Sequence, residues 1–170
     1  MLHILNKGDT VAHHEIQALS GRLTIAVYRL DGQLITTLTQ PNLITNAGKK
    51  FVAGLFIGST ENKAELKIAV GDSSTSAQAS DTRLGNQLDV EKANASAINL
   101  VNVDGVERAS IKLSVNLPAL TAGKTQVLRE AGILMVFPNS AEPVLYNHVN
   151  FADITRTDSV QMTLTWEVLF

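Results

Sequence analysis

The chain contains no cysteine, which excludes disulfides and thiolate metal ligation. Charge is sparse: Asp, Glu, Lys and Arg make up 18% of 170 residues, the formal net charge is −2, and no basic run occurs. Nucleic-acid binding relies on a stripe of Lys and Arg that neutralises phosphates, so that partner class is not expected. No long apolar run is present either. The longest, around Phe51 to Ile57, falls far short of the roughly 20 residues that a membrane-spanning helix needs. Met1 to Asp9 lacks a charged region followed by an apolar core, so no signal peptide is expected. The reading is of a soluble chain without membrane contact, made in the cytoplasm.

Hydrophobic residues make up 45% of the chain, which takes it out of the disordered class and allows one domain with a sizeable core. From Val160 to Phe170 the pattern alternates. Val160, Met162, Leu164, Trp166, Val168 and Phe170 share one parity, while Gln161, Thr163, Thr165 and Glu167 share the other. Period two predicts a strand with one buried and one wet face, and Trp166 and Phe170 are expected to serve core and closing strand. Residues 22–38 predict a hairpin about the Asp31-Gly32 turn, and residues 98–117 a second about Asp104-Gly105. Val127 to Phe137 is a near-continuous apolar strand of the kind found at a central position. Further strands are expected at Leu66 to Gly71 and Val144 to Phe151. Thr45 or Asn46 can cap one short helix, about 46–57, with Phe51, Val52, Leu55 and Phe56 on its apolar face. The sum is a mainly β fold: an antiparallel β-sandwich of about eight strands with one short α-helix. Residues 21–170 form its single domain, and residues 1–20 read as an N-terminal arm.

Candidate chemistry is thin. His13, His14 and Glu15 cluster, but neighbouring histidines on a strand face opposite ways and cannot chelate together. His3 and His148 read as isolated. Ser73, Ser74 and Ser76 lack the strand–turn–helix frame of a nucleophile elbow. Asp72 and Asp81 bound a Ser/Thr/Ala/Gln stretch that reads as a solvated connection. Asp153 and Asp158 bracket an expected turn. No cofactor or metal is implied. Arg129-Glu130 is the pair that stands out, because it sits inside an apolar strand and a buried charge is costly unless paired. The simplest expectation places Glu130 at a sheet edge beside a lysine or arginine. The alternative is a fixed polar contact that sets strand register or meets a partner.

Several segments then fall into a familiar order: Asn42-Leu-Ile-Thr-Asn-Ala-Gly48, Leu66-Lys-Ile-Ala-Val-Gly-Asp72, Asp81-Thr-Arg-Leu84, Leu128-Arg-Glu-Ala-Gly-Ile-Leu134, Leu145-Tyr-Asn-His-Val-Asn-Phe-Ala-Asp-Ile154 and Leu164-Thr-Trp-Glu-Val-Leu-Phe170. Over roughly residues 42–170 the chain resembles small virion proteins of tailed bacteriophages. These include the module that opens tail-collar fibre proteins and related baseplate, neck and head-surface proteins. In that family a strand ending in Ala-Val-Gly-Asp precedes an Asp-Thr-x-Leu segment. A strand with Glu-x-Gly-Leu/Ile and a closing strand follow, which draws attention to Glu130 and Gly132. The resemblance implies a non-enzymatic structural protein of the virion that forms a homo-oligomer and binds other virion proteins. The expected place is the tail, baseplate or fibre-attachment site. The alternatives are a capsid cement or decoration protein on the major capsid protein, and a carbohydrate-binding host-attachment module. Residues expected at partner contacts are Leu2, Ile4, Leu5, His13 and His14 of the arm, with Asp72 and Asp81 of the connection.

Overall fold

The structure, a computed structural model, describes residues 19–58 and 64–170. The arm residues Leu2, Ile4, Leu5, His13 and His14 lie outside the described residues. Two antiparallel sheets face each other and enclose one apolar core, so the fold is a β-sandwich with a single short helix. The strands are β1 (Ser20–Arg29), β2 (Leu34–Pro41), β3 (Leu43–Ile44), β4 (Glu65–Gly71), β5 (Gln87–Lys92), β6 (Asn94–Ala95), β7 (Asn99–Val103), β8 (Val106–Leu117), β9 (Thr125–Val136), β10 (Val144–Thr157) and β11 (Val160–Leu169). The first sheet runs β2-β1-β11-β8-β6, with β7 also on β8; the second runs β3-β10-β9-β4-β5.

Alternation builds the first sheet. Leu23, Ile25 and Val27 of β1 point inward, as do Leu113, Val115 and Leu117 of β8 and Met162, Leu164 and Trp166 of β11. Register lines them up: Leu23 lies opposite Trp166, which lies opposite Leu113. The Trp166 indole is fully buried, and its Nε1–H donates to Asn42 Oδ1 at 3.0 Å, so the one tryptophan leaves no unpaired donor. The second sheet closes the core from the other side with Ile68 and Val70 of β4, Ala131, Ile133 and Met135 of β9, and Tyr146, Val149 and Phe151 of β10.

The helix α1 (Asn46–Phe56) starts where expected, with Thr45 as its N-cap. Thr45 Oγ1 accepts from Gly48 N at 3.0 Å and donates to Leu145 O, which ties the cap to β10. Gly48 is where the helix meets that strand. A Cβ there would collide with the Tyr146 carbonyl, so only glycine allows the approach.

Four features depart from the sequence reading. Strands β3 and β6 are two residues each, too short for a period to show, and β5 alternates only through Leu88 and Val90, both exposed, among Asp89, Glu91 and Lys92. On the helix, Phe51 and Val52 pack on the core, whereas Leu55 is largely exposed and Phe56 is 88% exposed. Phe170 lies just past the end of β11 and is partly exposed; its N–H bonds Ala109 O at 2.9 Å. Finally, β10 continues through Asp153 to Thr157 with a register shift between Asn150 and Ile154, so the turn begins later, at Asp158.

Candidate functional site

The site grows from the parity of β9. Ala131, Ile133 and Met135 face the sandwich core, so Glu130, Gly132 and Leu134 face the opposite side of the second sheet. That face is covered. The segment 72–86 folds back across it and sets Leu84 against Ala69, Leu134 and Leu145 as a second, smaller apolar cluster. Burying this segment's backbone requires partners for its N–H groups, and Glu130 supplies them. Its Oε1 accepts from Asn86 N at 2.8 Å and Ser73 N at 3.3 Å, and its Oε2 accepts from Gly85 N at 2.9 Å. The residue has no solvent exposure.

His148, on the neighbouring strand β10, completes the arrangement. Its Nε2 stands 2.9 Å from Glu130 Oε2 and its Nδ1 stands 2.8 Å from Asp81 Oδ2. The ring thus bridges two carboxyl groups, one on β9 and one in the 72–86 segment. Asp81 Oδ2 also accepts from Gln78 N at 2.7 Å. Asn150 adds a further tie, accepting from Ala77 N at 2.6 Å. The segment also reaches the helix, where Asn46 N donates to Ala79 O at 2.7 Å. Glycine permits the close packing: a Cβ on Gly71 would strike Asn86 O and Glu130 Oε1, and one on Gly132 would lie 2.7 Å from Leu145 Cδ1 and 2.8 Å from Asn147 O.

The simplest expectation for Glu130 is thereby corrected. It lies on an inner strand, between β10 and β4, and its ionic partner is His148 rather than a lysine or arginine. Its contact is fixed and polar, and what it fastens is the 72–86 segment of the same chain. His148 is not isolated, and the 72–81 stretch is not merely a solvated connection. Asp72 and Asp81 do not meet. Asp72 Oδ1 accepts from Asn86 Nδ2 at 2.6 Å, while Asp81 turns to His148. Arg129 faces away from Glu130 and grips Asp153 through Nε and Nη2, both at 2.9 Å. That pairing holds the Asp153 carboxyl below its ordinary range and raises the Arg129 guanidinium.

Chemically the knot is spent on structure. Glu130 has both oxygens occupied and no path to solvent, and the His148 ring is clasped at both nitrogens. The ring also separates the two carboxylates, and no group of three or more His, Asp or Glu among the described residues is placed to hold a metal ion. A cavity of about 480 Å³ elsewhere, lined by Tyr28, Asn116, Pro118, Gln161 and Thr163, presents no carboxylate or imidazole. The signal for the knot was present in the sequence as Glu130 and His148 in apolar strands. The roles of Asn150, Asn86 and Asp81 carried no such signal, because polar residues in or near loops are ordinary.

Fold and site together define an antiparallel β-sandwich whose second sheet carries a strapped-down loop on its outer face. Comparison of the chain with family models, curated proteins and solved structures found no match.

Proposed function

We propose that this chain is a non-enzymatic structural protein of a tailed-bacteriophage virion, attached at the tail, baseplate or fibre-attachment site. It works by binding neighbouring virion proteins. One observation supports the reading above others. Three of the six segments that carry the resemblance, 81–84, 128–134 and 145–154, are joined directly by the Glu130–His148–Asp81 knot. Residues scattered over some eighty positions serve one structural unit, and the strongest acid–base pair in it bonds the protein's own backbone rather than facing a cleft. Large apolar side chains stand instead at the periphery: Leu34, Ile35, Phe56, Ile57, Ile98 and Leu100 are each at least half exposed. Surfaces of that kind suit burial against other protein.

Cryo-microscopy of particles grown with and without the gene tests the proposal. Expected are density for the sandwich at a symmetric position on the tail or baseplate, and its loss together with tail or fibre attachment in the deletion. Complete, infectious particles lacking the protein would overturn the reading. Density confined to the head lattice would overturn the tail placement and favour a capsid cement role.

A further inference from the structure

The two sheets treat their edges differently. In the second sheet, β3 has two residues, and β5 bears Asp89, Glu91 and Lys92. Short length and charge are the usual means by which an open edge resists another strand. The first sheet has no such guard along β2. This strand reads Leu-Ile-Thr-Thr-Leu-Thr-Gln-Pro, and no charged residue occurs between Asp31 and Lys49. It is rich in β-branched residues, six of its eight positions are exposed, and among the described residues no strand pairs its outer side. The rows Arg22 to Val27 that support it are regular, the single irregularity lying at Val27/Tyr28 near the hairpin end. The edge at β7 is also uncharged, but it is five residues long and runs into Asp104 and Glu107.

We propose that β2 pairs antiparallel with β2 of a second copy of this chain, joining two first sheets into one continuous sheet across a two-fold axis. A second copy fits because the strand carries no charge that self-pairing would set against itself. The register follows from two constraints. A continuous sheet keeps outward residues opposite outward residues, so only pairings of like parity are allowed. Pro41 has no N–H and must fall outside the ladder. Centring on Thr37 meets both: Thr37 faces Thr37 of the second copy, Thr36 faces Leu38 and Ile35 faces Thr39, while Leu34 lies beyond the bulge and outside the ladder. The inference concerns contact between copies, so it holds or fails independently of any place in a virion.

The chain has no native thiol, so a single cysteine reports directly. Facing Cα atoms in an antiparallel pair lie about 4.5–5.5 Å apart, within disulfide range. Thr37→Cys should oxidise to a covalent dimer, and a mixture of Ile35→Cys with Thr39→Cys should give the mixed dimer, while Ile35→Cys alone should not. Thr37→Lys should weaken dimerisation about tenfold or more, through like charges brought face to face. Mixing it with Thr37→Glu should restore association between the two variants. Sedimentation of the full chain reads the dimer, and unchanged circular-dichroism melting shows that each variant folds. A wild-type chain that stays monomeric at high concentration overturns the proposal. So does an oligomer that Thr37→Lys leaves intact and Thr37→Cys fails to link. Particle incorporation of the Thr37→Lys protein, scored separately, bears on the virion proposal and not on this one.

Discussion

The first sheet hides one face along most of its length, covering the other only around Arg108, Ser110 and Glu167, and the second hides two. Along β11, buried Met162, Leu164 and Trp166 alternate with Gln161, Thr163 and Thr165, none of which is buried, and the same rhythm runs through β1 and β8. Along β9 the burial is continuous from Ala131 to Met135, because the sandwich core covers one side and the 72–86 segment covers the other. The difference shows what a second buried face requires. An apolar core between two sheets asks only for complementary side chains. A loop pressed onto a sheet brings backbone N–H groups with it, and these must find acceptors or the burial is unfavourable. Glu130 is that acceptor, and the His148 ring bonds it from the neighbouring strand. The first sheet has a carboxylate of its own, Glu167, which is also buried: it accepts from Ser110 Oγ at 3.4 Å and meets Arg22 at 2.7 Å and Lys112 at 3.7 Å, the two cations being well exposed.

The largest expected effect follows from removing the acceptor. Glu130→Ala takes the acceptor from three loop N–H groups and from one side of the buried His148 ring. Breaking one half of a buried ionic pair costs about 3–5 kcal/mol. Urea unfolding at neutral pH should show that loss, and hydrogen exchange at Ser73, Gly85 and Asn86 should quicken beyond the average for the chain. A loss below about 1 kcal/mol, the scale of an exposed ion pair, would mean that the loop does not depend on the knot.

A smaller effect is expected at Gly132, directly opposite His148 in the ladder. Gly132→Ala places a methyl against Leu145, Asn147 O and Leu84, so either the loop lifts or β10 shifts. Overpacking of this kind costs about 1–3 kcal/mol. If the substitution is neutral, the outer face is more loosely covered than the inner one, and the likeness between the two buried faces fails.

Much of this architecture is readable from period and turn chemistry. The β11 alternation, the Asp31-Gly32 and Asp104-Gly105 hairpins and the Thr45 cap are local features, and each appears at the residues that encode it. The second buried face is not local. Nothing in Ser73 to Ser80 distinguishes a strapped loop from a solvated one, because what buries it lies fifty to seventy-five residues away on β9 and β10. Glu130 was visible as an anomaly, yet its partners are main-chain N–H groups, which any sequence supplies and none advertises. Exposure of Phe56 is of the same kind, since a helix with apolar residues on more than one side does not state which side meets the sheet.

The comparison between the sheets sharpens with Glu167→Ala. This buried carboxylate has two cationic neighbours, but Arg22 and Lys112 reach water and keep their hydration when it is removed, so less is stranded than at Glu130. The expected loss is about 1–3 kcal/mol, the scale of a buried hydrogen-bonded group removed from its partners, and high salt lowers the share owed to the exposed cations. A loss equal to that of Glu130→Ala would mean that a carboxylate whose cations reach water matters as much as one that holds a loop's backbone N–H groups.

The smallest effect concerns Tyr146, where the two faces meet, since its side chain lies in the sandwich core while its carbonyl receives Thr45 N. Its hydroxyl is buried without a hydrogen-bond partner, and burial pushes its pKa up to about 12 from an ordinary 10.0. Because the folded value lies above the unfolded one, the group leaves stability untouched below pH 10. Stability then falls as pH rises toward 12, where the unfolded chain releases its proton first. Tyr146→Phe removes both the unpaired hydroxyl and the titration. Neutral-pH stability should therefore hold or rise by about 1 kcal/mol. The difference between mutant and wild type should widen between pH 10 and 12, a subtraction in which the other tyrosine, Tyr28, cancels. Parallel stability curves over that range would mean that the hydroxyl finds an acceptor, and that the core at the head of the helix is wetter than the rest of the sandwich interior.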